Sequence, residues 1–159
     1  MTRIKQATPA DATAWLELRC ALWPEGSRSE HRNEIEQFFA GTLAEPLAVL
    51  LAVDDTNQTV GLAELSIRPY AEGCHSPDVA YLEGWFVAPT ARRRGVGRAL
   101  VEAAEQWGRA RGCREIASDT QPDNLVSIAA HRSLGFEAAG SVRCFRKDLG
   151  ASPSSHSCC

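Results

Sequence analysis

The stretch Val79-Ala-Tyr-Leu-Glu-Gly-Trp-Phe-Val87, followed after four residues by Arg92-Arg93-Arg94-Gly95-Val96-Gly97, decides the expected fold of this chain. Its first part has the apolar, β-branched and aromatic composition of a long strand. The internal Gly84 indicates a β-bulge or a place where a ligand approaches the backbone closely. An amphipathic helix is predicted directly afterwards, over residues 96–110, with Gly112 as its stop. The segment is therefore a strand–loop–helix unit of an α/β protein.

The loop before this helix is suited to bind phosphate. The first N–H groups of a helix have no partner within it, and they lie at its positive end. Glycines let a ligand come close to the backbone, and arginines add attraction. A Walker loop would need a Lys-Ser/Thr pair, which is missing, and a dinucleotide-binding loop would follow an earlier strand. Taken alone, the loop could also be a basic turn that caps a surface helix.

The remaining pattern predicts further helices and strands on both sides of this unit. Before it, strands are predicted at 3–7, 48–53 and 59–67, helices from Thr8 to about Leu22 and over 30–43, and a loop at 69–77. After it come a strand at 115–119, a helix at 124–134 and a last strand at 142–148. We expect one mixed α/β domain over 1–149 and a flexible tail over 150–159, whose composition is small and polar.

Composition limits the function classes. The 159 residues are 44% hydrophobic and 23% charged, as in a single globular domain. No run approaches the roughly 20 apolar residues of a membrane span, and the N-terminus lacks a signal sequence, so a cytoplasmic location without a membrane partner is expected. The net charge of −3 argues against a nucleic-acid partner and favours a small cationic substrate. The six cysteines lack the spacing of a zinc site, which predicts free thiols and no metal.

The motifs, taken together, resemble those of the GNAT superfamily of N-acetyltransferases. The loop 92–97 matches the family's Gln/Arg-x-x-Gly-x-Gly/Ala signature, it follows Val87-Ala88-Pro89, and Asn124 precedes Gly135-Phe136 as in the family's second coenzyme helix. The resemblance implies a mixed, mostly antiparallel sheet flanked by helices, with two strands that splay apart around acetyl-CoA. It implies these coenzyme-binding residues: Trp85, Phe86 and Val87 for the pantetheine, main-chain amides of Arg93, Arg94, Gly95, Val96, Gly97 and Arg98 for the pyrophosphate, and Asn124.

A narrower resemblance points to one group of aminoglycoside 6′-N-acetyltransferases. The matching words are Leu18-Arg19, Leu22-Trp23-Pro24, Ser66-Ile67-Arg68, Tyr81-Leu82-Glu83-Gly84-Trp85, Ala117-Ser118-Asp119 and Ala130-His131-Arg132-Ser133-Leu134-Gly135-Phe136. The group's substrate contacts carry over to Trp23, Tyr70, Glu83 and Asp119. An acidic contact expected after Gly135-Phe136 meets Gly140, so either Glu137 takes its place or the contact is absent. The resemblance also implies a homodimer.

The chemistry of such a substrate fits the residues. A polyamine sugar carries several positive charges, and carboxylates beside an aromatic face would select them. Glu83 is the candidate general base for the reacting ammonium, and a backbone N–H near Val87 would stabilise the developing oxyanion. The amine would attack directly in a ternary complex, because no motif places a cysteine as nucleophile. Structural interpretations remain open: a salt bridge for Glu83, a turn cap for Asp119 and packing for Trp23.

Two further classes of function are kept open. The first is acetyl transfer to another cationic amine, such as a polyamine, an amino acid or a peptide N-terminus. The second is an acyl-CoA-binding sensor without catalysis. His131 replaces a tyrosine that protonates the leaving thiolate in many members of the superfamily. It could take that role or simply pack, since a thiol with a reference pKa of about 8.5 leaves with little help.

Overall fold

The computed structural model describes residues 1–151, which form four α-helices, two short 3₁₀ turns and five strands. The elements in chain order are β1 (Arg3–Gln6), α1 (Ala12–Leu22), α2 (Arg28–Ala40), β2 (Ala48–Val53), β3 (Thr59–Arg68), β4 (Val79–Val87), α3 (Val96–Ala110), β5 (Ile116–Ser118) and α4 (Leu125–Ser133). The 3₁₀ turns, Pro9–Asp11 and Pro89–Ala91, precede α1 and the Arg/Gly loop. The predicted mixed α/β class is confirmed.

The five strands form one sheet in the order β1-β2-β3-β4-β5. Neighbours are antiparallel except β4 and β5, which run parallel. Parallel neighbours need a crossover connection, and α3 provides it. The β4–β5 ladder joins only Ala80–Leu82 to Ile116–Ser118, so the two strands are no longer paired beyond residue 82. The sheet is therefore mostly antiparallel and open between its last two strands, as predicted.

Helices cover both faces of the sheet. On one face α3 buries Leu100, Ala104 and Trp107 against β2, β3 and β4, which explains its apolar stripe. On the other face α1 and α2 pack together, and Trp15 meets Phe38 edge to face with ring centroids 5.1 Å apart. This second layer lies over the part of β4 that precedes the Arg/Gly loop, and it forms the floor of the site described below.

The predicted start of α2 is late by two residues. The helix begins at Arg28 because Ser27 caps it: its side chain accepts from the Glu30 N–H, and Glu30 returns the contact to the Ser27 backbone. It ends at Ala40, earlier than the predicted residue 43, because Gly41 takes a left-handed conformation with φ 73°. Local capping therefore overrides the apolar pattern that continues to Leu43.

The predicted last strand is wrong. Residues 142–148 belong to no helix or strand and are exposed. A strand is stable only when a neighbouring strand satisfies its N–H and C=O groups, and this segment pairs with nothing in residues 1–151. Residues 152–159, most of the predicted tail, lie outside the described part. Among residues 1–151, no helix has the length and apolar character that a membrane crossing requires.

Candidate functional site

Past residue 82, the backbone of β4 offers hydrogen-bonding groups to the opening between β4 and β5. The Ala88 N–H donates to the Val60 carbonyl at 2.8 Å. Because antiparallel pairs alternate, the N–H groups of Trp85 and Val87 then point away from β3 and into the opening. The Val87 carbonyl is taken by Arg92 Nε at 2.9 Å. Phe86 faces β3 instead, so only two of the three predicted residues present main-chain groups here.

The Arg/Gly loop enters α3 through two left-handed residues. Arg93 has φ 63° and Gly95 has φ 79°. The first α-helical bond onto the loop runs from the Ala99 N–H to the Gly95 carbonyl. Within residues 1–151, no hydrogen bond uses the amides of residues 93–98 as donors. These amides cluster at the positive end of a 15-residue helix, an arrangement that suits a diphosphate.

Gly97 lets this helix end come close to β4. A Cβ at Gly97 would lie 3.1 Å from the Trp85 ring. The Trp85 indole Nε1 is buried and has no hydrogen-bond partner in the described residues. A donor without a partner beside the opening, next to unpaired amides, fits a ligand with acceptor atoms. The residues present are thus suited to hold the pantetheine and pyrophosphate of a coenzyme.

Glu83 is the extra residue of a β-bulge. Glu64 and Leu65 are adjacent on β3, but their partners on β4 are Gly84 and Leu82. The residue between those partners has no opposite number, and bulges often redirect a side chain at a functional site. The bulge predicted from Gly84 is confirmed. It lies at the point where β5 stops pairing, so Glu83 stands where the opening begins.

Two carboxylates meet in one cluster, which we call the acidic cluster: Arg68, Tyr81, Glu83 and Asp119. Arg68 holds Glu83 with two bonds, Nε to Oε1 at 2.9 Å and Nη2 to Oε2 at 2.6 Å. The Tyr81 hydroxyl donates to Asp119 Oδ2 at 2.5 Å. The Arg68 guanidinium lies 3.5 Å from the centre of the Tyr81 ring. One cation and one phenol therefore link both predicted acidic residues.

The ionisation of the cluster is set by these contacts. The hydrogen bond to Glu83 raises the pKa of Arg68, which stays charged. Burial and then the hydrogen bond to Asp119 raise the pKa of Tyr81, so this hydroxyl remains a neutral donor at physiological pH. Arg68 and Tyr81 were not among the predicted site residues. The available signal was the alternation of polar Glu64, Ser66 and Arg68 along β3, which places all three on one face.

Trp23 borders the acidic cluster. The residue follows α1, and a Cβ at Gly84 would lie 2.7 Å from its ring. Gly84 is therefore needed for the close approach of this indole to β4. The ring also stacks with His31 at 6.5 Å, and Arg19 lies 5.3 Å from its centre. Trp23 is held rigidly beside the bulge that carries Glu83.

A buried charge network that sequence reasoning missed lies behind Trp23. Glu64 is 2% exposed and accepts from Trp15 Nε1 at 2.8 Å. Arg19 bridges Glu64 at 3.0 Å and Glu34 at 2.5 Å, although these ion pairs are not aligned as hydrogen bonds. Burial raises the pKa of Glu64 against the opposing effects of Arg19 and Trp15. The signal in the sequence was Glu64 itself, an acidic residue that follows the apolar residues at the start of β3.

The structure does not bring the other two predicted substrate contacts, Tyr70 and Glu137, into the acidic cluster, and the predicted coenzyme residue Asn124 lies at the start of α4. Tyr70 is 65% exposed and its hydroxyl donates to Glu72 at 3.0 Å. Glu137 is exposed and makes no hydrogen bond in the described residues. Asn124 caps α4, since its Oδ1 accepts from the Ser127 N–H at 3.1 Å. The side-chain N–H groups of Asn124 make no hydrogen bond within residues 1–151 and remain free to reach a ligand.

His131 links α4 to β5. Its Nδ1 donates to the Ser127 carbonyl at 2.7 Å, which fixes the proton on that nitrogen. Its Nε2 lies 2.9 Å from the Ser118 hydroxyl, whose oxygen is also 3.3 Å from the Leu82 carbonyl. The ring also meets Trp85 and Phe136 edge to face at 5.1 and 5.2 Å. Both nitrogens are engaged, which favours the packing role over protonation of a leaving group. Residues 1–151 contain no group of three potential metal ligands.

This fold and this opening are those of an acyl-transfer domain, and the chain belongs to the acetyltransferase (GNAT) family, whose model it matches over residues 12–136. Among curated relatives, it is 54% identical over 146 residues to the aminoglycoside N(6′)-acetyltransferase type 1 of Klebsiella aerogenes, covering 92% of this chain and 96% of the relative. The enzyme of the same name from Stenotrophomonas maltophilia is 44% identical over 147 residues, covering 92% and 93%.

Solved structures give the same family. The aminoglycoside N-acetyltransferase AAC(6′)-Iy in complex with CoA aligns with a TM-score of 0.85 at 39% identity, covering 92% of this chain and 95% of that one. The same enzyme with the bisubstrate analogue CoA-S-monomethyl-acetylneamine also aligns at 0.85 and 39%, covering 93% and 99%. The predicted family and fold are confirmed.

Proposed function

We propose that this chain transfers the acetyl group of acetyl-CoA to the 6′-amine of aminoglycoside antibiotics and so confers resistance to them. The observation that carries this function is the acidic cluster, which puts Glu83 and Asp119 beside the opening of a GNAT fold. The curated relatives that bear an aminoglycoside 6′-acetyltransferase name cover nearly the whole chain. Two carboxylates bordered by an indole suit a substrate with several ammonium groups.

The coenzyme side is assigned to main-chain groups. The amides of residues 93–98 bind the pyrophosphate, and the β4 backbone at Trp85 and Val87 pairs with the pantetheine. When bound, acetyl-CoA supplies the thioester from which the acetyl group is transferred. The free amide N–H groups of the Asn124 side chain assist from the start of α4. This assignment rests on the unpaired amides and on the solved relatives, one of which holds CoA.

The acceptor side is assigned to side chains. Trp23 and Asp119 bind and orient the sugar, and Glu83 accepts the proton that the reacting ammonium must lose, directly or through a water. The neutral amine then attacks the thioester carbonyl within the ternary complex. The Val87 N–H, which points into the opening, donates to the oxygen on which negative charge develops. Tyr70 and Glu137 are left as outer contacts that the sugar reaches only if it extends beyond the cluster.

An acceptor panel tests the proposed function. Release of CoA thiol is followed with a kanamycin-type sugar, spermidine, free amino acids and a peptide N-terminus, and the product is located by mass spectrometry and NMR. We expect turnover with the sugar and acetylation of its 6′-amine, together with a raised inhibitory concentration in bacteria that express the gene. Turnover of spermidine or a peptide without the sugar would favour another amine. Calorimetric binding of CoA without any transfer would favour a sensor.

We further propose that the chain acts as a homodimer in the cytoplasm. The segment after α4 exposes Val142, Phe145 and Leu149 by 68%, 89% and 88%. β5 has a strand partner on one edge only within residues 1–151. An unpaired edge and an exposed apolar segment can both be covered by a second copy of the chain, which offers both at once.

Analytical ultracentrifugation tests this assembly. The double variant Phe145→Ser and Leu149→Ser is expected to shift the protein from dimer to monomer at micromolar concentration. The matched control is Leu47→Ser, which changes an exposed leucine directly before β2. This variant should leave the dimer intact. A monomeric wild-type protein would contradict the proposed assembly without affecting the proposed reaction.

A further inference from the structure

The main chain of Trp23 is held by two donors at one carbonyl. Trp23 follows the last turn of α1, and its N–H donates to the Arg19 carbonyl at 3.0 Å. Its own carbonyl accepts from the Gly26 N–H at 3.2 Å and lies 3.1 Å from His31 Nε2. Because a carbonyl oxygen can only accept, His31 carries its proton on Nε2 and donates it here. Trp23 is therefore tied to the first turn of α2 as well as to its own helix.

His31 reaches this carbonyl because residue 26 is a glycine. The histidine is 7% exposed, so it is enclosed by its neighbours. A Cβ at Gly26 would lie 2.6 Å from His31 Nε2, well inside the normal contact distance of about 3.5–4.0 Å. The φ of Gly26 is not in the left-handed region, so the backbone itself does not require a glycine. What residue 26 provides is space for His31.

The indole of Trp23 lies between His31 and the strand that carries Glu83. On one side it stacks with the His31 ring, with centroids 6.5 Å apart and planes 27° apart. On the other side the ring fits against Gly84, where a Cβ would be 2.7 Å away. A tryptophan side chain turns about only two bonds, so the position of its ring depends closely on its main chain. A shift of the Trp23 carbonyl therefore moves the indole relative to Glu83.

The contact between α1 and α2 is made mainly by apolar residues other than His31. Trp15 meets Phe38 and Phe39 edge to face at 5.1 and 5.7 Å, and Ile35 is 2% exposed in the same core. Apolar burial of this kind is the main force that holds packed helices together. His31 instead contacts the segment that follows α1. Its hydrogen bond thus places Trp23 and is not what joins the two helices.

We propose that His31 is a positioning residue for acceptor binding: it fixes the Trp23 main chain, in the space that Gly26 leaves, and so holds the indole beside Glu83. The proposal rests on the proposed function, in which Trp23 binds the sugar. The alternative role is general support of the fold. The two roles differ because positioning acts through the Trp23 indole, whereas general support does not need it.

The test uses variants that separate the hydrogen bond from the stability of the fold. His31→Phe keeps a ring and removes the donor, while His31→Gln keeps a donor near the position of Nε2. Gly26→Ala leaves His31 in the chain and fills its space. The control is Ile35→Ala, which opens the core beneath the same helix. KM for a neamine-type sugar, kcat, CoA affinity and Tm are measured for each protein. His31→Phe is also made in the Trp23→Ala background, which completes a double-mutant cycle.

His31→Phe and Gly26→Ala are each expected to raise KM for the sugar about fivefold, the effect of losing one hydrogen bond. kcat and CoA affinity should stay near the wild-type values, and His31→Gln should recover most of the KM. Ile35→Ala should lower Tm and leave KM unchanged. In the Trp23→Ala background, His31→Phe should have no further effect on KM. Gly26→Ala serves if His31→Phe does not fold.

An equal rise of KM in both backgrounds would overturn the proposal, because His31 would then not act through the indole. So would an unchanged KM in His31→Phe and Gly26→Ala, or a rise in Ile35→Ala as large as theirs. A Trp23→Ala protein with the wild-type KM would overturn it too, while turnover of the sugar by the wild type would leave the proposed function in place. If the wild type acetylates no aminoglycoside, the proposed function itself fails before any variant is compared.

Discussion

The coenzyme loop and the acidic cluster lie at the two ends of the same opening but are built in different ways. In the loop, the groups proposed to bind are main-chain N–H groups whose directions are set by two left-handed residues and a helix end. In the cluster, the groups are side chains held by other side chains, with Arg68 and Tyr81 as partners. The first kind of site is sensitive to an added Cβ, whereas the second is sensitive to charge. Substitutions should therefore separate coenzyme affinity from turnover.

The largest expected effect is on the cluster. Glu83→Gln should lower kcat by about 10²–10⁴-fold, because the amide cannot accept the proton of the ammonium. The affinity for CoA should not change, since the groups proposed to bind it belong to the main chain. Steady-state kinetics and calorimetry measure the two quantities, with the exposed Glu36→Gln as control. Unchanged turnover would remove Glu83 from the role of base.

The corresponding change in the loop is Gly97→Val. Its Cβ would press on the Trp85 ring at 3.1 Å, and its methyl groups would displace the amides next to it. Loss of about one hydrogen bond to a charged phosphate, worth ~1.5–3 kcal/mol, should weaken CoA binding about 10–100-fold. Once CoA is saturating, kcat should return to near the wild-type value. A kcat that stays low at saturation would contradict the separation of the two sites.

A smaller effect comes from two glycines at opposite ends of α3. Gly95 and Gly112 have φ 79° and 80°, and a Cβ at either position would meet no atom within 4 Å. Alanine should therefore cost a similar ~1–2 kcal/mol of folding free energy at each, from the left-handed backbone alone. Only Gly95→Ala should weaken CoA binding, by a few-fold. Equal CoA affinities in the two variants would mean that the loop amides do not bind the coenzyme.

The smallest expected effect concerns the loop 69–78 near the cluster. Glu115 accepts from the Ser76 hydroxyl and from the N–H groups of Ser76 and His75, and these bonds lower its pKa from 4.5 to about 2. A lowered folded-state pKa stabilises the fold above the unfolded value, and this contribution is lost as pH falls from 4.5 to about 2.

Wild type should therefore be more stable than Glu115→Gln at pH 7, and the difference should close on acidification. Urea unfolding at pH 7 and pH 3 measures it, and Ser76→Ala should reproduce part of the loss. A stability gap that is constant with pH would show that the carboxylate charge is not what these donors stabilise.

The parts of the fold that depend on neighbouring residues in sequence were predicted well. The bounds of α3, the strand β4 and the bulge follow from glycines and an apolar stripe between positions 79 and 112. The carboxylates Glu83 and Asp119 were predicted from the resemblance to aminoglycoside 6′-N-acetyltransferases, and the structure places Glu83 in β4 and Asp119 directly after β5.

The parts that depend on distant residues were not predicted. The partners of the carboxylates come from β3 and β4, fifteen and thirty-eight residues away in the chain, and only the register of the sheet brings them together. The same holds for Arg19 with Glu64. The prediction of a strand at 142–148 was wrong because an apolar pattern does not show which strand would pair with it. Within residues 1–151 this segment pairs with no strand.

The bulge at Glu83 also changes the phase of its strand. Ala80 and Leu82 pack towards α3, and so do Trp85 and Val87, which strict alternation from residue 80 would send to the opposite side. Deleting residue 83 should therefore restore strict alternation and leave Trp85 and Val87 facing α3, so the deletion removes the carboxylate without reversing the strand that follows. One inserted amino acid thus adds an acidic side chain at the start of the opening, while the residues that follow keep the facing they would have in an uninterrupted strand.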